Sequence, residues 1–118
     1  MSENINDKNF SEETDTIYRE SIEIIRSNIS NGAHFDHACE LITVQDKKLK
    51  DLIIDDALKI EIAELHYGKG LPFTDVSKKL CVSMERLVKA NTEMIDDIQN
   101  TAVEIYERQS GNQGLTTQ

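Results

Sequence analysis

Phe73-Thr-Asp-Val-Ser-Lys-Lys-Leu-Cys-Val-Ser-Met-Glu-Arg-Leu-Val-Lys-Ala-Asn-Thr92 is the stretch on which the fold turns. Val76, Leu80, Val82, Leu87 and Ala90 fall where two short helices meeting over a tight turn would touch. Ser77 supplies a small side chain where such helices nearly collide. Thr74 and Asp75 read as the cap of a short helix ending near Leu80, and Cys81-Val82-Ser83 as the turn. Ser83 reads as the N-cap of a helix that begins at Met84, because its hydroxyl can accept from a free N–H of the first turn. A corner of this kind has no core of its own, so the flanking chain must supply helices for it to rest on.

Upstream it does. Ser11 reads as an N-cap, with Glu12, Glu13 and Asp15 near the positive end of the helix dipole. Tyr18, Ile22, Ile25 and Ile29 then recur at helical spacing, and Asn31-Gly32 ends that helix with a left-handed cap. Phe35, Ala38, Leu41 and Ile42 give a short second helix, and Thr43 to Asp46 break the chain. A long third helix follows, with Leu49, Leu52, Ile53, Ala57, Ile60 and Ala63 on one side and Asp51, Asp55, Glu61 and Glu64 on another. Gly68-Lys69-Gly70 and Pro72 stop it. The expected fold is therefore all-α: a compact bundle of five to six helices with a tight corner and a long C-terminal helix. Residues 1–10 are expected as a disordered polar tail, 11–109 as a single helical domain and 110–118 as a flexible tail.

Composition supports helix over sheet. The 118 residues hold one Pro, no Trp and few Val or Thr runs, so the core must be aliphatic. No apolar run approaches the roughly 18 residues of a membrane span. Met1 to Phe10 is polar and acidic, unlike a secretory signal or an Arg-rich transit peptide. Cys39 and Cys81 lie far apart and read as reduced thiols, with a disulfide between them the less favoured alternative; the expected setting is cytoplasmic.

The net charge is −9, which by itself opposes contact with phosphate. Its distribution matters more. Residues 1–31 carry three basic and seven acidic groups, 32–65 four and eight, and 93–118 one and five. Residues 66–92 reverse the sign, with Lys69, Lys78, Lys79, Arg86 and Lys89 against Asp75 and Glu85. The one basic segment is the corner.

The Phe73–Thr92 segment resembles a helix-turn-helix. The resemblance covers about a sixth of the chain and names no particular family. It implies DNA as a partner, with the helix from Met84 as the recognition helix and Ser83, Glu85, Arg86 and Lys89 facing bases or phosphates. Lys78 and Lys79 would meet phosphate. Many such motifs have Gly where this chain has Cys81, since the turn often takes a positive backbone angle there. The bland reading is a structural corner, common to any tight helix pair. Tyr67-Gly-Lys-Gly70, Asp75-Val-Ser-Lys-Lys and Val82 to Asn91 also resemble the middle of a lysin-motif carbohydrate-binding module. That module needs a strand on each side, where this sequence reads as helix.

Met84, Val88, Asn91, Ile95, Ile98, Ala102, Ile105 and Gln109 follow four-three spacing, the pattern of a coiled-coil seam. With the apolar stripe of the first helix, it leads to the expectation of a homodimer. Asn91 would be a polar seam residue. A break at Asn91-Thr92, with Thr92 as a new cap, would reconcile the seam with the inward Leu87 and Ala90 that the corner requires. A helix packed on its own domain explains the pattern equally well.

His34, His37, Cys39 and Glu40 are ligand-type residues at close spacing, and only His66 and Cys81 could join them from elsewhere. A zinc site needs three or four converging ligands, so no metal or other cofactor is expected. The chain has no phosphate loop, nucleophile signature or metalloprotease motif, and adjacent acids such as Asp55-Asp56 point apart on a helix. Two function classes remain: a non-enzymatic DNA-binding regulator or accessory factor, and a protein-interaction adaptor with acidic surfaces whose corner only packs.

Overall fold

The computed structural model describes residues 11–117, with the backbone alone from 109 onward; the expected disordered tail, 1–10, lies outside the described residues. Among the described residues there is no strand. Across the described residues five α-helices follow one another: α1 (Glu12–Ser30), α2 (Phe35–Glu40), α3 (Lys47–Ile62), α4 (Phe73–Leu80) and α5 (Met84–Thr117), with α3 running on into a π-helical turn, Ala63–Gly68. The all-α expectation holds. The lysin-motif likeness does not, because the segments flanking the corner are helices.

Each helix starts or stops for a local reason. At α1 the Thr14 N–H donates to Ser11 Oγ at 3.0 Å. Its far end closes where Gly32, at φ 104°, donates its N–H to the Ile29 carbonyl; a side chain there would be strained. Asp46 caps α3 by accepting from Lys48 and Leu49 N–H at 3.0 and 3.3 Å. Ser83 caps α5, taking the Arg86 N–H at 3.1 Å. The expected Thr74-Asp75 cap of α4 is displaced: the helix begins at Phe73, behind Pro72, with no side-chain cap. Pro72 carries no N–H to satisfy and its carbonyl opens the helix, accepting from Val76 N–H at 3.0 Å.

The core joins all five helices. Ile25 and Ile29 of α1, Phe35 of α2, Ile53, Ala57 and Ile62 of α3, Val76 and Leu80 of α4, and Leu87 of α5 form one buried cluster. α3 is its axis, packing on α1 and on α5. Tyr18 ties the first pair by donating its hydroxyl to Asp56 Oδ2 at 2.6 Å. Burial, and then that carboxylate, push the Tyr18 phenol up to about 12.

Three expectations are corrected. The buried stripe of α3 is Ile53, Ala57, Leu58, Glu61, Ile62 and Leu65, whereas Leu52 and Ala63 are exposed. On α2 the inward residues are Phe35, Ala38 and Cys39, and Leu41, just past its end, faces out. No break occurs at Asn91-Thr92. α5 is one helix, and its backbone stays helical through residues 110–117.

Glu61 is the unusual member of this core: a carboxylate only 3% exposed. Burial raises its pKa, with Glu64 adding and Arg26, Lys79 and Lys69 opposing. A carboxyl raised on folding binds more protons folded than unfolded, so it subtracts stability as pH climbs above the usual carboxylate range. Glu61→Gln should therefore match the parent at about pH 4 and exceed it increasingly toward about pH 7. Urea unfolding at several pH values measures this; a variant less stable at neutral pH would mean that the nearby cations outweigh desolvation.

Candidate nucleic-acid interface

The corner is built from α4, a three-residue turn and the first two turns of α5. Val76, Leu80 and Leu87 are fully buried and Val82 and Ala90 nearly so, which is the contact set read from the sequence. Ser77 sits where a small residue is required, and its hydroxyl donates to the Val82 carbonyl at 2.6 Å. Val82 N–H in turn donates to the Ser77 carbonyl at 3.2 Å. The turn is thus clamped from both sides by one residue of α4.

Cys81 adopts φ 59°, ψ 48°, the left-handed conformation. This is the position at which helix-turn-helix segments favour Gly, and the chain reaches the same geometry with a thiol that stays exposed. Left-handed backbone costs an L-residue roughly 1–2 kcal/mol, which the burial of Leu80 and Val82 on either side outweighs.

The six candidate contact residues do not form one patch. Lys78, Ser83, Glu85 and Lys89 are exposed. Lys79 is also exposed but faces a polar cleft toward α1, whose lining includes Glu23, Arg26, Glu61, Glu64 and Lys69. Arg86 is half-buried and already engaged. Its Nη1 donates to both carboxylate oxygens of Asp36, at 3.0 and 3.1 Å, while its guanidinium lies 5.2 Å over the Phe35 ring. Arg86 and Lys89 share a second cleft with Asp51, Asp55 and Glu93, and Lys89 Nζ stands 4.0 Å from Glu93. The sign reversal seen along the sequence is therefore partly cancelled in space by acids from α2, α3 and α5 itself.

Two residues that shape this surface escaped the sequence reading. Asp36 lies fifty positions from Arg86 and left no local signal. Glu61 did leave one: it lies four residues after Ala57, three after Leu58 and four before Leu65, completing their stripe. Beside it, Arg26 donates through Nη2 to Glu64 at 2.9 Å while its buried Nε has no partner.

The histidine cluster does not converge. Cys39 points into the core, where burial first, and then Asp36, push its thiol up to about 12. His34 and His37 are exposed, and His37 approaches Glu40 at 3.8 Å. His66 lies apart, stacked on Phe73 with Nδ1 2.7 Å from the Leu71 carbonyl, a contact that requires Nδ1 to carry the proton. Among the described residues, no group of three or more His, Cys, Asp or Glu side chains is placed to hold a metal ion.

The left-handed turn makes a signed prediction. Cys81→Gly should raise stability by about 1 kcal/mol, because Gly meets no steric cost there and little burial is lost. Cys81→Val should lower it, since a β-branched residue tolerates the conformation worst. Urea midpoints distinguish the outcomes; a less stable Gly variant would show that the thiol contributes packing. No protein-family model, curated protein or solved structure matches this chain.

Proposed function

We propose that this chain is a small, cytoplasmic, non-enzymatic DNA-binding protein, a regulator or accessory factor, that uses the α4–α5 corner as a helix-turn-helix. The observation that carries the proposal is the turn: three residues long, left-handed at Cys81, and closed by the Ser77 hydroxyl on Val82. It presents the N-terminus of α5 with Ser83, Glu85 and Lys89 exposed and Lys78 on the preceding helix. Both thiols are free, in keeping with a reducing compartment. No helix among the described residues is long and apolar enough to cross a membrane.

Arg86 enters this reading with a condition. It must leave Asp36 to reach phosphate or a guanine edge. Exposed ion pairs contribute at most about 1 kcal/mol, and with Asp36 mostly exposed the exchange is affordable. Asp36 then acts as an intramolecular competitor for the DNA. The expected affinity is weak for one copy and steeply dependent on salt.

The adaptor reading is favoured by the same clefts seen from the other side. Asp36, Asp51, Asp55 and Glu93 gathered around Arg86 and Lys89 suit a protein partner offering both charges. DNA titration separates the two. Fluorescence anisotropy against pooled genomic fragments at low salt should show binding by the parent chain. Lys78→Ala with Lys89→Ala should weaken it and lower the salt slope by about 2, if each lysine neutralises one phosphate. Asp36→Asn should strengthen binding by freeing Arg86. Absence of binding by the parent, or indifference to both changes, would leave the corner as packing and the adaptor reading in its place.

A further inference from the structure

Beyond Met94, α5 leaves the bundle. Leu87 and Ala90 are buried and Met94 is half-buried against the core, whereas every residue from Ile95 to Arg108 is exposed. At 1.5 Å per residue that stretch is about 21 Å long, and the helical backbone continues to Thr117. Exposure of a helix with no apolar face would be unremarkable, but here Ile95, Ile98 and Ile105 are 38%, 61% and 44% exposed. With Ala102 they form a four-three stripe beside a shallow groove along the helix.

From these placements we infer that the projecting part of α5 is a self-association surface whose occupant is the same stripe of a second copy. The charges select that occupant. The chain is strongly acidic, and four acids, Asp96, Asp97, Glu104 and Glu107, lie on this part of α5. At about 100° per residue, each falls roughly 120° or more from the centre of the stripe. Asp97, the nearest, forms the rim of the groove. The positions bordering the stripe between 94 and 106 are Met94, Gln99, Thr101 and Tyr106, none of them charged. A basic partner would be recognised by acids beside the apolar seam. A second acidic copy requires their absence, because like charges at those positions would face each other.

The seam starts at Ile95 rather than Met84. Asn91, expected as a polar seam residue, is held by its own domain, its Oδ1 accepting from the Tyr67 hydroxyl at 2.7 Å. Short seams associate weakly, so copies meet at micromolar rather than nanomolar concentration. Association would place two corners in one particle, as two half-sites on DNA require, yet the surface stands on its own evidence and needs no DNA.

Sedimentation equilibrium of the whole chain without DNA tests this. At about 100 μM the parent should show a mass of two copies or more. Raising the salt should leave association unchanged or strengthen it by screening the net negative charge, the opposite of its effect on DNA binding. Ile98→Asp with Ile105→Asp should weaken association at least about 100-fold, while the thermal transition of the bundle, measured at dilution, stays put because both side chains are exposed in one copy. Asp96→Ala, on the far face, should leave association intact. A monomeric parent at that concentration, or a double variant that associates equally well, overturns the inference whether or not the chain binds DNA.

Discussion

The rotation of α5 about its own axis governs most of what this molecule presents to its surroundings. Leu87 and Ala90 must face the core, since removing either from the cluster with Ile53, Ala57, Val76 and Leu80 would leave a hole that packed neighbours close only partly. Once that face is fixed, a rigid helix leaves no freedom elsewhere. Arg86 comes over Phe35 and within reach of Asp36. Asn91 meets Tyr67, Glu93 meets Lys59 at 3.4 Å, and the isoleucines beyond Met94 are carried out of the bundle. The corner clamp at Ser77 and Cys81 sets where the helix starts, and Leu87 sets which way it faces.

The features legible in the sequence were those settled within one turn of chain. Ser11, Gly32 and Ser83 announce helix ends through hydrogen bonds that span three residues, and the structure places all three as read. The contact set of the corner was legible for the same reason, as spacing on two short helices. Glu61 shows a different limit: its position completes an apolar stripe, but its chemistry argued for the surface. Burial prevailed because Ala57, Leu58, Ile62 and Leu65 leave the helix one inward face, and position 61 lies in it. Asp36 and Tyr67, which decide the fates of Arg86 and Asn91, act across fifty and twenty-four positions. Such pairs are set by how helices cross, which no local pattern records.

Electrostatically the chain is a lesson in where charge sits rather than how much there is. The corner is the one basic stretch in an acidic protein, yet folding draws carboxylates toward it from two other helices: Asp36 from α2, and Asp51, Asp55 and Glu61 from α3. Most of these pairs are open to solvent, where ions screen them within about 10 Å and each is worth little. They nevertheless act together, as the neutralised edge attracts phosphate less at long range than the linear sequence suggests.

A helix asked both to enter a groove and to pair with a copy of itself must keep those uses on different sides. Under the two proposals, α5 separates them by angle and by length. Around its axis, Glu85 lies about 100° from Met84 and Lys89 about 100° from Val88, the exposed apolar residues of the same turns. Along it, the first two turns belong to the corner, and the apolar stripe free of the bundle starts at Ile95, two turns after Val88. The distribution of acids follows the same division. Glu93 is retained at the boundary, where Lys59 and Lys89 both approach it; of the acids beyond, Asp96, Glu104 and Glu107 lie on the far face and Asp97 at the rim of the groove. Pairing through the stripe would therefore leave the corner uncovered, and contact at the corner would leave the stripe free.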